Sequence, residues 1–232
     1  MSTLISFNKD RKIGVLYLPQ KKIIRKFSLD KNKNKLINNE HEGIKWYYPR
    51  CSKKKNKLTK RENDFLDIDI IKGEQIKFWD KLSNNYHLVE RVISHYNEVW
   101  PKNKFVPCHG DLTFSNIIFK NNGEVRIIDW ENYVKNKMNW GYDLAYFLIS
   151  TVALPSIYHN EKAIINKELD LLLKFWKKVF KDKDCPFLKR PVNFLKKNYG
   201  KTFLLRSKNN YYPNLLSSLK IKQINETLNN KN

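Results

Sequence analysis

The sequence predicts an α+β fold of two lobes: a small antiparallel, β-rich N-terminal lobe over residues 1–72 and a larger, mainly helical lobe over 73–232. Three observations lead there. Short β-branched and aromatic runs crowd the first seventy or so positions, spacings of three and four residues dominate afterwards, and Lys72-Gly73-Glu74 breaks the pattern between them. A length of 232 residues suits one large domain or two small lobes, and a hydrophobic fraction of 41% with 13% aromatic residues excludes a disordered polycation.

Taken in order, Thr3–Phe7, Ile13–Leu18 and Lys22–Phe27 read as strands separated by the turn formers at 8–10 and by Pro19-Gln20. A helix is expected from Lys33 to Tyr48, with Leu36, Ile37, Ile44 and Tyr47 on one face and Pro49 ending it. Residues 50–64 are polar and strongly basic and read as a surface loop. Phe65–Ile71 alternates like a half-buried strand. Ile76, Trp79, Leu82, Tyr86, Val89, Ile93, Tyr96 and Trp100 then predict one long helix that Pro101 stops. Ile117–Phe119 and Val125–Ile128 flank Lys120-Asn121-Asn122-Gly123, a hairpin with an Asn-Gly turn. Helices are expected over Leu144–Leu154 and Ala163–Phe180, with weaker amphipathic pieces after Pro191 and Pro213.

The formal charge of +22 invites a polyanionic partner such as RNA or an anionic membrane surface. Yet the lysines are spread along the whole chain, as a biased composition produces, and nucleic acid is not the expected partner. Cys51, Cys108 and Cys185 form no CxxC pair and suggest neither a disulfide framework nor a zinc site. The sequence shows no signal-peptide-like run and no apolar stretch near the roughly 20 residues of a membrane span, so a cytoplasmic protein is expected.

Chemistry concentrates in CHGDLTFSNIIFKNNGEVRIIDWE, residues 108–131. Asp111 precedes the hairpin, Asn116 begins it and Asp129 follows it, so the hairpin brings 116 and 129 together. An amide oxygen and a carboxylate so placed suit Mg²⁺, a hard cation that takes few protein oxygens and completes its shell with water and phosphate. Asp111 stays free of the metal. Phosphoryl transfer needs these parts: a carboxylate that orients and deprotonates a hydroxyl, and ligands that hold Mg²⁺ against the phosphates.

The loop H-x-D-x-x-x-x-N followed by a hairpin and a second Asp resembles the protein-kinase catalytic core. With Gly110 after His109, and Asp129-Trp130-Glu131 at the second site, it is similar to the aminoglycoside phosphotransferase/choline kinase family. Gly141-Tyr142-Asp143-Leu144-Ala145 also looks like that family's downstream segment. The resemblance implies a protein-kinase-like fold, ATP and Mg²⁺ as cofactors, Asp111 as catalytic base, and Asn116 and Asp129 as metal ligands. It further implies a phosphate-clamping basic residue on the third strand, Arg25 or Lys26, paired with a carboxylate on the following helix. Lys26 with Glu40 is favoured, Glu40 and Trp46 matching an E-x-x-x-x-x-W spacing, with Glu42 the alternative. His109 is read as a loop-positioning residue and Asp143 as the loop's anchor. Residues Asp69 to Lys72 are candidates to meet adenine.

The implied partners are a nucleotide and a small-molecule hydroxyl acceptor: an amino alcohol such as choline or ethanolamine, a sugar or an aminoglycoside. Trp130, Tyr133, Trp140, Tyr142 and Trp176 are candidates for an aromatic cage around a cationic acceptor, although Lys135 and Lys137 disfavour one and suit a sugar-bearing or anionic acceptor instead. The competing expectation is a non-catalytic basic module or pseudokinase, engaging RNA or a membrane surface through residues 50–62 and 174–208.

Overall fold

The computed structural model describes residues 3–8, 12–30, 34–51, 59–62, 64–180 and 219–230. The N-terminal part builds a five-stranded sheet from β1 (Thr3–Asn8), β2 (Ile13–Leu18), β3 (Ile23–Ser28), β4 (Thr59–Glu62) and β5 (Phe65–Asp69). Its order is β1-β2-β3-β5-β4, with every neighbouring pair antiparallel. β3 is thus the central strand. Its register sets Arg25 opposite Asp67 and Lys26 opposite Leu66, and the alternation of a strand turns these two neighbours to opposite faces.

β4 is a correction to the loop expected over residues 50–64. Alternation in Thr59-Lys60-Arg61-Glu62 is too short and too polar to stand out, and the strand exists because β5 offers it an edge. Arg61 fastens it, its Nε donating to Asn38 Oδ1 at 3.2 Å and its Nη1 to the Phe65 carbonyl at 3.0 Å.

Helix α1 (Asn34–Cys51) follows β3. It runs through Pro49 rather than stopping before it, because a proline in the last turn removes only one backbone bond there. The buried face carries Leu36, Ile37, Glu40, Ile44 and Tyr47. Gly43 sits where a Cβ would lie 2.7 Å from the Trp130 side chain, so a glycine lets α1 close onto the turn after Asp129.

The long helix expected from Ile76 to Trp100 is only partly formed. Lys77–Asp80 make a turn in which Asp80 accepts the Lys77 N–H at 3.2 Å, a 3₁₀ turn spans Leu82–Asn84, and α2 covers Tyr86–Val99. Ser83-Asn84-Asn85 explains the difference: side chains that compete for backbone hydrogen bonds favour a turn over helix continuation.

Beyond α2 come β6 (Phe105–Cys108), β7 (Ile117–Phe119), β8 (Val125–Ile127), β9 (Val134–Asn139), α3 (Tyr142–Tyr158), α4 (Asn166–Phe180) and α5 (Leu219–Asn230). β7 and β8 form the expected hairpin, whose Gly123 has φ +85°. The pair β6 with β9 was not expected, since it joins segments some thirty residues apart. α3 is buried on every side from Tyr142 to Ser156, the mark of a helix at the centre of its lobe. The piece expected after Pro191 lies outside the described residues.

The two parts share an aromatic core. Trp130 is fully buried, stacked on Trp100 at 6.1 Å, 4.9 Å from Tyr47 and 5.9 Å from Trp46. Aromatic pairs of this kind add about 0.5–1.5 kcal/mol each beyond their burial. They hold α1 of the first part against the segment that carries Asp129.

Candidate active site

The loop between β6 and β7 is held from below by one side chain. Asp143, in the first turn of α3, accepts the His109 N–H on Oδ2 at 2.8 Å and the Gly110 N–H on Oδ1 at 3.0 Å, and Oδ1 also receives the Cys108 thiol at 3.0 Å. Burial pushes the Asp143 carboxyl pKa upward, against these donors. Gly110 has φ +82°, and a Cβ there would lie 2.6 Å from the Asn132 carbonyl oxygen, so only glycine fits between Asp143 and that backbone.

His109 is fully buried and has both ring nitrogens committed. Nε2 donates to the Ile128 carbonyl at 2.8 Å and Nδ1 accepts the Asp111 N–H at 3.2 Å. Burial lowers its pKa, which keeps the ring neutral in this one tautomer. The histidine thus ties the Asp111 backbone to the end of β8. Asn116 Nδ2 donates to the Asp111 carbonyl at 2.8 Å, which commits the other end of that amide, Oδ1, to accepting. On the side chain, Tyr146 donates to Asp111 Oδ1 at 3.4 Å.

The hairpin joins Asn116 to the second acidic position, the Ile128 N–H donating to the Asn116 carbonyl at 2.9 Å. Asp129 follows in the left-handed region, φ 63° and ψ 59°, a conformation that aspartate tolerates better than most residues. There its carboxylate meets Lys26: Nζ lies 2.6 Å from Asp129 Oδ1 and 2.5 Å from Glu40 Oε2. Three separate elements, β3, α1 and the turn after β8, therefore converge on one ammonium group. Burial opposes the charge on Lys26, but the carboxylates of Asp129, Glu40 and Glu131 outweigh it and raise its pKa. Burial is also the main influence on Glu40, pushed up to about 7.

Lys26 thus stands among the carboxylates of Asp129, Glu40 and Glu131. Among the described residues no three His, Cys, Asp or Glu side chains converge to hold a metal ion. One carboxylate and one amide oxygen, from Asp129 and Asn116, are a poor set for zinc but a fitting one for Mg²⁺, which keeps its waters and takes phosphate oxygens.

The alternatives named from sequence lie elsewhere. Arg25 forms a bidentate pair with Asp67, at 2.6 and 2.8 Å, on the other face of β3, its guanidinium 3.7 Å above the Phe65 ring. Glu42 is exposed and faces Lys45 at 3.4 Å. Trp130, Tyr133, Trp140, Tyr142 and Trp176 are all buried, so these rings are core and do not form a surface cage. Of the basic stretch 50–62, Arg50 donates to the Trp46 carbonyl and Arg61 is spent on β4 and β5, while residues 52–58 lie outside the described ones, as do 181–208 of the second basic stretch. Sequence reasoning missed Asn39, which ties α1 to the Glu131 carbonyl at 3.1 Å, and Tyr47, whose hydroxyl joins His95 Nε2 at 2.6 Å to the Ile127 N–H at 3.0 Å. It also missed Tyr146. Asn39 carries no spacing signal, and the spacing of Tyr47 marks only a buried helix face; the partners of both appear only once α1 is docked.

A family model described as choline/ethanolamine kinase matches residues 17–199, most of the chain. The chain belongs to the choline/ethanolamine kinase family. The match takes in β3, β4 and β5 and the loop around Asp111, and with it the α+β, bilobal, protein-kinase-like architecture expected from the sequence is the fold of this family member. A curated relative, the mitochondrial inner membrane magnesium transporter MIT1 of Plasmodium berghei (strain Anka), is 24% identical over 158 residues, covering 64% of this chain and 34% of that protein. The chain thus spans about a third of that relative's length. No helix among the described residues is long and apolar enough to cross a membrane. Two solved structures are similar over 89% of this chain and 46% of theirs: the co-crystal of WbdD with the kinase inhibitor LY294002, at 13% identity and TM-score 0.44, and the bifunctional kinase-methyltransferase WbdD, at 12% and 0.42.

Proposed function

We propose that this choline/ethanolamine kinase family member is an ATP- and Mg²⁺-dependent kinase that moves the γ-phosphoryl group of ATP to a hydroxyl of a small molecule. The observation that carries the reading is the convergence of Lys26, Glu40 and Asp129 within 2.6 Å contacts, beside a loop that presents Asp111 and Asn116. Residues 1–72 form the nucleotide-clamping lobe and 73–232 the catalytic and acceptor lobe. Lys26, braced by Glu40, reaches the phosphates; Asn116 and Asp129 hold Mg²⁺; Asp111 orients the acceptor hydroxyl and takes its proton. Bound Mg²⁺ offsets the charge of the phosphate oxygens. As the acceptor oxygen bonds to the γ-phosphorus, the bond from that phosphorus to the bridging oxygen breaks, ADP leaves, and the hydroxyl proton ends on Asp111.

The acceptor class that the family match favours is an amino alcohol, choline or ethanolamine, ahead of a sugar or an aminoglycoside. The test is transfer of label from γ-³²P-ATP to a panel of these compounds, by the parent protein and by Asp111→Ala. Labelled product from the parent and a loss of at least about a thousandfold in the variant are expected, with Tm kept within about 3 °C. Turnover retained in Asp111→Ala overturns the assignment.

A further inference from the structure

Asp143 and Tyr146 stand three residues apart on α3, on one face of the helix. Asp143 holds the loop's backbone at His109 and Gly110. Tyr146, 3% exposed, reaches past it to the side chain of Asp111, itself 8% exposed, with 3.4 Å between its hydroxyl and Oδ1. The Asp111 backbone is fixed on both sides, its N–H by His109 and its carbonyl by Asn116. Those contacts set where the backbone sits; the carboxylate itself turns about χ2, a torsion that is intrinsically soft. A buried phenol on a helix that is packed all round gives that carboxylate a rigid donor.

We propose that Tyr146 is a positioning residue for phosphoryl transfer: its hydroxyl holds the Asp111 carboxylate in the rotation that accepts the proton of the incoming hydroxyl. The proposal rests on the reading of Asp111 as the base. α3 then carries two supports of the loop, Asp143 for the backbone and Tyr146 for the reacting group. Phenylalanine at 146 keeps the ring and removes the hydroxyl that donates to Asp111.

The experiment compares the full-length parent, Tyr146→Phe and Asp111→Ala in transfer from γ-³²P-ATP to a panel of choline, ethanolamine, sugars and aminoglycosides, in phosphate release to water, and in Tm. The expected result for Tyr146→Phe is a kcat lowered roughly tenfold to a hundredfold, the cost of a reacting group slightly misplaced, with KM for MgATP and Tm close to those of the parent. Site-specific 3-fluorotyrosine at 146, which keeps a hydroxyl donor, restores kcat. A purely structural hydroxyl moves Tm and KM together with kcat, and that outcome overturns the proposal. A Tyr146→Phe protein with the parent's kcat beside an inactive Asp111→Ala also overturns it, leaving the kinase reading standing. Parent-like turnover in Asp111→Ala, or a parent that turns over none of these substrates, removes both.

Discussion

Arg25 and Lys26 are neighbours on one strand, both cationic and both paired to carboxylates, yet their surroundings differ. Arg25 lies on the outer face with a bidentate bond to Asp67, and the two side chains keep 27% and 12% of their exposure. Lys26 lies on the inner face, touching Glu40, 3% exposed, and Asp129 at once. The Arg25 pair satisfies its own geometry and leaves nothing to exchange. Lys26 instead divides a single charge between two carboxylates from different parts of the chain. Adjacent positions of like charge thus end in a two-partner fastening and in a three-way contact, and what separates them is the two-residue period of the strand and the helix packed on one side of it.

Breaking the inner pair should have the largest effect. Lys26→Met is expected to lower kcat/KM for MgATP by about a hundredfold or more, since it removes a charge aimed at the phosphates. Steady-state kinetics at saturating acceptor checks this. Glu40→Gln keeps the lysine but loosens its bracing, and a loss of roughly tenfold to a hundredfold is expected, read mainly in KM for MgATP.

The inner pair should also respond to pH. The folded-state value of about 7 for Glu40 stands above the ordinary 4.5, so the folded protein keeps a proton that the unfolded chain has released. The stability from this group is full below pH 4.5 and declines as pH rises toward 7. Tm measured across that window should therefore shift in favour of Glu40→Gln relative to the parent as pH increases. The smallest effect belongs to the outer pair: Arg25→Ala should cost about 1 kcal/mol of stability and leave transfer within roughly twofold of the parent.

Much of this site was readable before folding. The strand period put Arg25 and Lys26 on opposite faces, and the resemblance to the kinase family's E-x-x-x-x-x-W pattern favoured Glu40 over Glu42. Asp111, Asn116 and Asp129 stood out because a loop, a tight hairpin and a short turn lie within about twenty residues, where local geometry decides which groups meet. The misses have the opposite character. β4 is a strand only because β5 lies beside it, and β6 pairs with β9 across a span that no periodicity reports. Tyr146 reads as a core residue of an apolar helix, and only the docking of the loop on α3 turns its hydroxyl toward Asp111. The helix expected from Ile76 failed because apolar spacing continued through Ser83-Asn84-Asn85, where the backbone had better local partners.

The central claim is that Lys26 and Asp129 form a nucleotide site requiring a metal, and calorimetric titration addresses it most directly. ATP is titrated into the parent, Lys26→Met and Asp129→Asn, with and without Mg²⁺, beside a polyanion control at two salt concentrations. The account predicts saturable binding that needs both ATP and Mg²⁺, weakened at least about tenfold in each variant, with polyanion binding unchanged by either substitution. Binding of ATP that is indifferent to Mg²⁺ and to both substitutions, and that falls with salt as the polyanion does, would contradict it and favour a basic binding module.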